Sequence, residues 1–194
     1  MTQNKNIRLI ALATALLLLV AFIAMQFSDE VVWGPIDFVF AGALLFGTGL
    51  TFELLARRAG GLTYKLAVGL GLAATFILLW ANPAVGIIGN EDEPANLMYG
   101  GVLAVALIGA ILSRFQSRGM ARAMFATALA QTSVTAVALI ARMDRLPESS
   151  IPEILNVNGP FITLWVGSAL LFRQAAGDAN ARTAVTAEAQ RFGR

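Results

Sequence analysis

Six long apolar stretches dominate this chain, and no other feature restricts its fold as much. They run from Leu9 to Phe27, Val31 to Ala56, Leu66 to Gly89, Asn96 to Ser113, Ala123 to Ala141 and Ile154 to Phe172. Crossing a hydrocarbon core of roughly 30 Å takes about 20 helical residues, so each stretch is long enough. In lipid the backbone must satisfy its own hydrogen bonds, which leaves helices or a closed barrel, and a barrel needs an alternation of apolar and polar residues that is missing here. The sequence therefore predicts an all-α fold: a polytopic membrane helix bundle with six transmembrane helices. Only 13% of the residues are charged, against about 25% in soluble domains, which places the chain in the same class.

Charges between the stretches predict a topology. One side carries Lys5 and Arg8, then Arg57, Arg58 and Lys65, then Arg114, Arg118 and Arg122, then Arg173, Arg182, Arg191 and Arg194. The other carries Asp29 and Glu30, then Glu91, Asp92 and Glu93, then Asp144, Glu148 and Glu153, with only Arg142 and Arg145 for basic company. By the positive-inside rule both termini are cytoplasmic. The first stretch follows two basic residues as a signal peptide would. It exceeds a typical h-region and lacks a small-x-small cleavage site around Met25, so it is expected to stay as a helix. The domain reading is a six-helix transmembrane domain over 1–173 and a polar cytoplasmic tail over 174–194, with Gly177 and Asp178 breaking the tail from the last helix. A faint internal similarity links Gly34-Pro35 and Gly42 with Gly159-Pro160 and Gly167.

The chain contains no cysteine and no histidine. Disulfides, thiol nucleophiles and iron–sulfur ligation are thereby closed, and the commonest metal ligand and general base are missing. No cofactor is expected. The net charge of +2 is spread over scattered basic residues without a nucleic-acid motif, so no nucleic-acid partner is expected either. The lipid bilayer is the expected partner. Self-association or entry into a larger membrane complex would use Gly- and Ala-rich helix faces such as Gly42, Gly47 and Gly49, or Gly100, Gly101 and Gly109.

The most conspicuous polar interruption is "GIIGNEDEPANLMYGG", residues 86 to 101. Consecutive carboxylates at Glu91, Asp92 and Glu93 cannot all face one ion, so the stretch reads as a turn and not as a calcium loop. Gly89-Asn90 is expected to end one helix, Pro94 to stop its continuation, Asn96 to cap the next and Tyr99 to sit at interfacial depth. Asn82-Pro83, just upstream, predicts a kink or break in the third helix.

Inside the apolar segments the only acids are Asp37 and Glu53. They lie sixteen residues apart, roughly 24 Å along a helix, too far for paired acid–base work. Glu53 precedes Arg57 by four residues and is expected to form an ion pair with it. Asp37 follows Gly34-Pro35 and suits a helix N-terminus. On the fifth helix Thr127, Gln131 and Thr135 recur every four residues, a packing face whose amide needs a partner within the bundle. Asp37, Asn82, Asn156 and Asn158 fall at similar depth near the outer surface and form the candidate polar pocket.

The run "GIIGNEDEPANLMYGG" together with "SRFQSRGMARAMFATALAQ" resembles a group of small uncharacterised bacterial inner-membrane proteins. The resemblance covers a limited part of the chain and implies six-helix bacterial membrane character, with no chemistry attached. The expected role is thus non-enzymatic, structural or accessory, in the bacterial cytoplasmic membrane; the alternative is a small transporter or channel for a cation, proton or small polar solute.

Overall fold

A computed structural model describes residues 2–27, 33–58, 61–146 and 149–192; Asp29, Glu30, Glu148 and Arg194 of the charge pattern, and the expected helix start at Val31, lie outside them. Among the described residues there is no strand, and six helices are long and apolar enough to cross a membrane. The protein is an all-α, multi-pass helix bundle. Its helices are α1 (Thr2–Ala24), α2 (Pro35–Arg58), α3 (Leu62–Val85), α4 (Met98–Leu112), α5 (Ser117–Ile140) and α6 (Ile151–Phe192). They form two compact units, Met1–Arg58 and Ala59–Arg194.

The first unit is an antiparallel hairpin. Pro35 takes the first position of α2, where its missing N–H would have no partner anyway. Two residues on, Asp37 Oδ2 accepts a 2.7 Å hydrogen bond from the Gly34 N–H, the returning half of a capping box that fixes the helix start. From there α2 runs back along α1 in strict register. The Phe22 and Phe38 rings meet edge-on at 6.3 Å, Gly42 faces Leu18, Gly49 faces Ile10, and Asn6 bonds Glu53. A Cβ on Gly49 would lie 2.8 Å from Ile10 Cγ2, so the absence of a side chain there sets how closely the two helices approach.

In the second unit α5 lies between α4 and α6, and α3 packs on the other flank of α6. The reason is visible in the spacing of buried residues. On α6 these are Ile154, Asn158, Phe161, Trp165, Ser168, Phe172 and Ala175, alternating steps of four and three. On α3 they are Tyr64, Ala67 or Val68, Gly71, Ala74 and Leu78. Such spacing places one seam of each helix against its neighbour, as in coiled-coil packing. Small residues let the backbones come close. A Cβ on Gly109 would meet Ala123 Cβ at 2.7 Å, and Gly71 faces Ser168 and Met124.

The ends of the second unit differ in charge. At one end the Tyr64 hydroxyl donates to the Phe115 carbonyl at 2.7 Å, the Tyr64 ring packs edge-on against Phe172, and Thr63 Oγ1 bonds Asp178 Oδ2. These contacts gather the start of α3, the α4–α5 turn and the middle of α6, and with them Lys65, Arg114, Arg118, Arg122 and Arg173. The α3–α4 and α5–α6 connections, with Glu91, Asp92, Glu93 and Asp144, lie at the other end.

Two boundaries depart from the sequence expectation. The third helix stops at Val85 instead of Gly89, having passed through Pro83 without ending there. Gly86 turns the chain with φ +72, and any Cβ on it would lie 2.4 Å from the Asn90 carbonyl, so a steric requirement ahead of the expected stop decides the end. The last helix does not break at Gly177 and Asp178. It continues for 42 residues to Phe192, so residues 174–192 prolong the last helix. Ala175 and Ala176 are buried and Asp178 is engaged by Thr63, so packing across the glycine outweighs its helix cost of about 1 kcal/mol.

Gly86→Ala should lower stability by about 1–3 kcal/mol, since it combines a disfavoured φ with a backbone clash. At Gly100 a Cβ would meet nothing within 4 Å, and Gly100→Ala should change stability by no more than about 1 kcal/mol, in the stabilising direction. Denaturant-driven unfolding in detergent micelles measures both.

Candidate functional site

Two polar side chains of the second unit, Tyr99 and Gln131, converge on a third, the amide of Asn158. Asn158 of α6 is fully buried. Its Oδ1 accepts two hydrogen bonds, from the Tyr99 hydroxyl of α4 at 2.9 Å and from Gln131 Nε2 of α5 at 2.8 Å. Its Nδ2 donates to the Ile154 carbonyl, one turn back on α6, at 2.8 Å. A single carbonyl oxygen therefore joins three helices, and the bond to its own backbone fixes the direction in which that oxygen points. Hydrogen bonds between membrane helices are worth about 0.6 kcal/mol on average and up to roughly 1.7.

Each participant sits where its helix periodicity puts it. Thr127, Gln131 and Thr135 share the buried face of α5. Only Gln131 crosses to a neighbour: Thr127 and Thr135 bond the Ala123 and Gln131 carbonyls of their own helix, a habit of intrahelical threonine. Tyr99 is completely buried, not interfacial as its place near the membrane edge suggests. The hydroxyl has a partner inside the bundle, and that partner draws the ring inward.

A second amide organises the α3–α4 connection. Asn96 Oδ1 accepts from the Ile87 and Ile88 N–H groups, both at 3.0 Å, and its Nδ2 donates to the Ile88 and Asn90 carbonyls. Two donors and two acceptors are all that an asparagine side chain has. Asn96 thus clasps the loop, folding Ile87 and Ile88 into the core; it is not the helix cap that its position predicts. Glu93 takes the capping role, accepting from the Ala95 N–H ahead of the short 3₁₀ turn Pro94–Leu97. Glu91 and Asp92 are exposed, so the three consecutive carboxylates do not gather.

The candidate pocket residues of the second unit, Asn82, Asn156 and Asn158, have different surroundings. Asn82 Nδ2 donates to the Asn96 carbonyl at 3.1 Å and belongs to the loop clasp. Asn156 is exposed whereas Asn158 is buried, because two residues along a helix are about 200° apart around it. The segment before Pro160 is helical. Asp37 is part of the first unit, exposed and bonded to Gly34. In that unit Glu53 Oε1 accepts from Arg57 Nε at 2.6 Å and from Asn6 Nδ2 at 2.7 Å. The sequence spacing identifies the Arg57 partner; Asn6, on another helix, leaves no signal in the spacing.

Among the described residues, two buried side-chain atoms of the second unit have no hydrogen-bond partner, Gln131 Oε1 and Trp165 Nε1. One is an acceptor and the other a donor. Comparison with protein family models, with curated proteins and with solved structures gives no match, so what the site does rests on its geometry.

If Asn158 is the common acceptor, Asn158→Leu should cost more than either Tyr99→Phe or Gln131→Leu, each of which should cost about 0.6–1.7 kcal/mol. The Tyr99→Phe and Gln131→Leu effects should also be non-additive, because both donors address the same oxygen. Unfolding of the four proteins in a double-mutant cycle measures the coupling, and strict additivity would remove the shared node.

Proposed function

We propose that this chain is a non-enzymatic accessory protein of a bacterial cytoplasmic membrane, contributing a rigid helical body to the bilayer or to a larger complex. The observation that carries this reading is the chemistry of the core of the second unit. Its buried polar side chains among the described residues are Asn96, Thr127, Gln131, Thr135, Asn158 and Ser168, with no carboxylate, amine or guanidinium among them. Nearly all their polar atoms bond other parts of the protein: Ser168 Oγ to the Ala67 carbonyl, Asn158 to three groups, Asn96 to four. Ion-conducting and proton-relaying proteins place ionisable groups in such positions. Here the groups lock helices together.

Transport of a small neutral polar solute is the second reading, and Gln131 Oε1 with Trp165 Nε1 favours it. One is an acceptor and the other a donor, and neither has a protein partner among the described residues. Purified protein in liposomes, loaded with pH- and ion-sensitive dyes, should show no flux under imposed gradients of protons, sodium or potassium. Flux that disappears in a folded Asp37→Asn variant would replace the accessory reading with ion transport. In the absence of transport, Asp37→Asn should cost only about 0.3–1 kcal/mol through the lost helix-terminal interaction.

Both termini are placed in the cytoplasm in this proposal, because the basic end of the second unit carries the positive-inside charges. A compartment-specific reporter inserted beside the exposed Asp92 should report the periplasm. Cytoplasmic reporter activity at that point would reverse the orientation.

A further inference from the structure

Arg114, Arg118 and Arg122 recur every four residues from the α4–α5 turn into α5, and all three are exposed. Neither α4 nor α5 contains an acid, and among the described residues none of these arginines makes an ion pair. Nearby described acids at this end are on α6, where Asp178 is engaged by Thr63 and Glu188 lies a further ten residues along. Arg118 and Arg122 occupy one face of α5, and like charges at this spacing repel.

Depth makes the lack of a partner more telling. Arg122 is the sixth residue of α5, roughly 8 Å along the axis from Ser117. Its neighbour Ala123 packs against Gly109 of α4, three residues inside the end of that helix. Arg122 therefore leaves the bundle at a level where α4 is already apolar, and Phe125 and Leu129, farther along α5, are exposed apolar residues. An arginine at that height on a lipid-facing surface must bend its long stem toward the interface and find a polar partner there. The groups at that level are lipid phosphates. A guanidinium presents paired N–H donors that match phosphate oxygens bidentately.

We infer that Arg114, Arg118 and Arg122 hold the phosphodiester of an acidic phospholipid against the start of α5. The lipid phosphate supplies the counter-charge that the described residues of this unit do not provide, and the acyl chains lie along the exposed apolar surface of Phe125 and Leu129. The site depends on the membrane-spanning fold and is independent of whether the protein is an accessory or a transporter.

Native mass spectrometry of the full chain, released from micelles doped with phosphatidylglycerol, cardiolipin or phosphatidylcholine, tests the inference. Wild-type protein should retain the two acidic lipids in preference to phosphatidylcholine. R118Q should weaken that retention about fivefold and R118Q/R122Q more, given about a fivefold effect for each basic residue at an acidic lipid surface. R145Q, at the opposite end, should leave it unchanged. Inorganic phosphate should not displace the lipid; displacement would mean a free-anion site. Equal retention of acidic and zwitterionic lipids, or equal retention by wild type and R118Q, would overturn the proposal. Because R118Q lies at the membrane edge, it serves as the deciding variant if R118Q/R122Q does not fold.

Discussion

The arrangement of the second unit depends on one constraint: a polar side chain placed among apolar helices has no water to turn to. Asn158 resolves this by accepting from both Tyr99 and Gln131 while holding its own amide on Ile154. Apolar seams tolerate sliding and rotation, because one methyl contact is much like the next. A bond between two amides does not. Along the seams of α6 many neighbouring registers would bury similar apolar area; the Asn158 oxygen selects one of them against α4 and α5, and the Ser168 hydroxyl on the Ala67 carbonyl does the same against α3. Buried asparagine plays the same role in coiled coils, where it fixes register at some expense of stability.

Close approach of the backbones makes those bonds possible. Gly109 meets Ala123, Gly71 meets Ser168, and Gly42 and Gly49 meet Leu18 and Ile10. Several glycines that look available for association with other chains are therefore occupied within their own unit. Gly47, Gly100 and Gly101 have nothing within 4 Å. Small residues in this protein serve first to bring its own helices together, and Thr75, Thr127 and Thr135 bond their own backbones, whereas Thr63 reaches across to Asp178.

The six helices are legible in the sequence because lipid imposes a length and a composition that soluble folds do not. Gln131 is legible for a related reason: a lone amide on an apolar helix must face the interior. Its partner is harder to identify. Depth alone groups Asn158 with Asn156, Asn82 and Asp37, and depth carries no information about which way a side chain points around a helix. Tyrosines often lie at the interface, which is where the sequence puts Tyr99, and its hydroxyl instead finds a buried acceptor. Helix ends are the least legible. Gly89-Asn90 and Gly177-Asp178 both look like stop signals, yet the stop comes at Gly86, whose positive φ and close approach to the Asn90 carbonyl only a glycine accommodates, and the signal at Gly177 is overridden by the buried alanines next to it.

Helix α6 is one uninterrupted rod of 42 residues, about 63 Å long and roughly twice the thickness of the hydrocarbon core. Its packed part runs from Ile154 to Asp178, and the residues after Asp178 project beyond it. A rod of this kind works as a pointer. Tilting the whole helix by about 10° displaces one tip sideways relative to the other by roughly 11 Å, so the tilt with which membrane helices answer a change in bilayer thickness is carried along the rod to its projecting end.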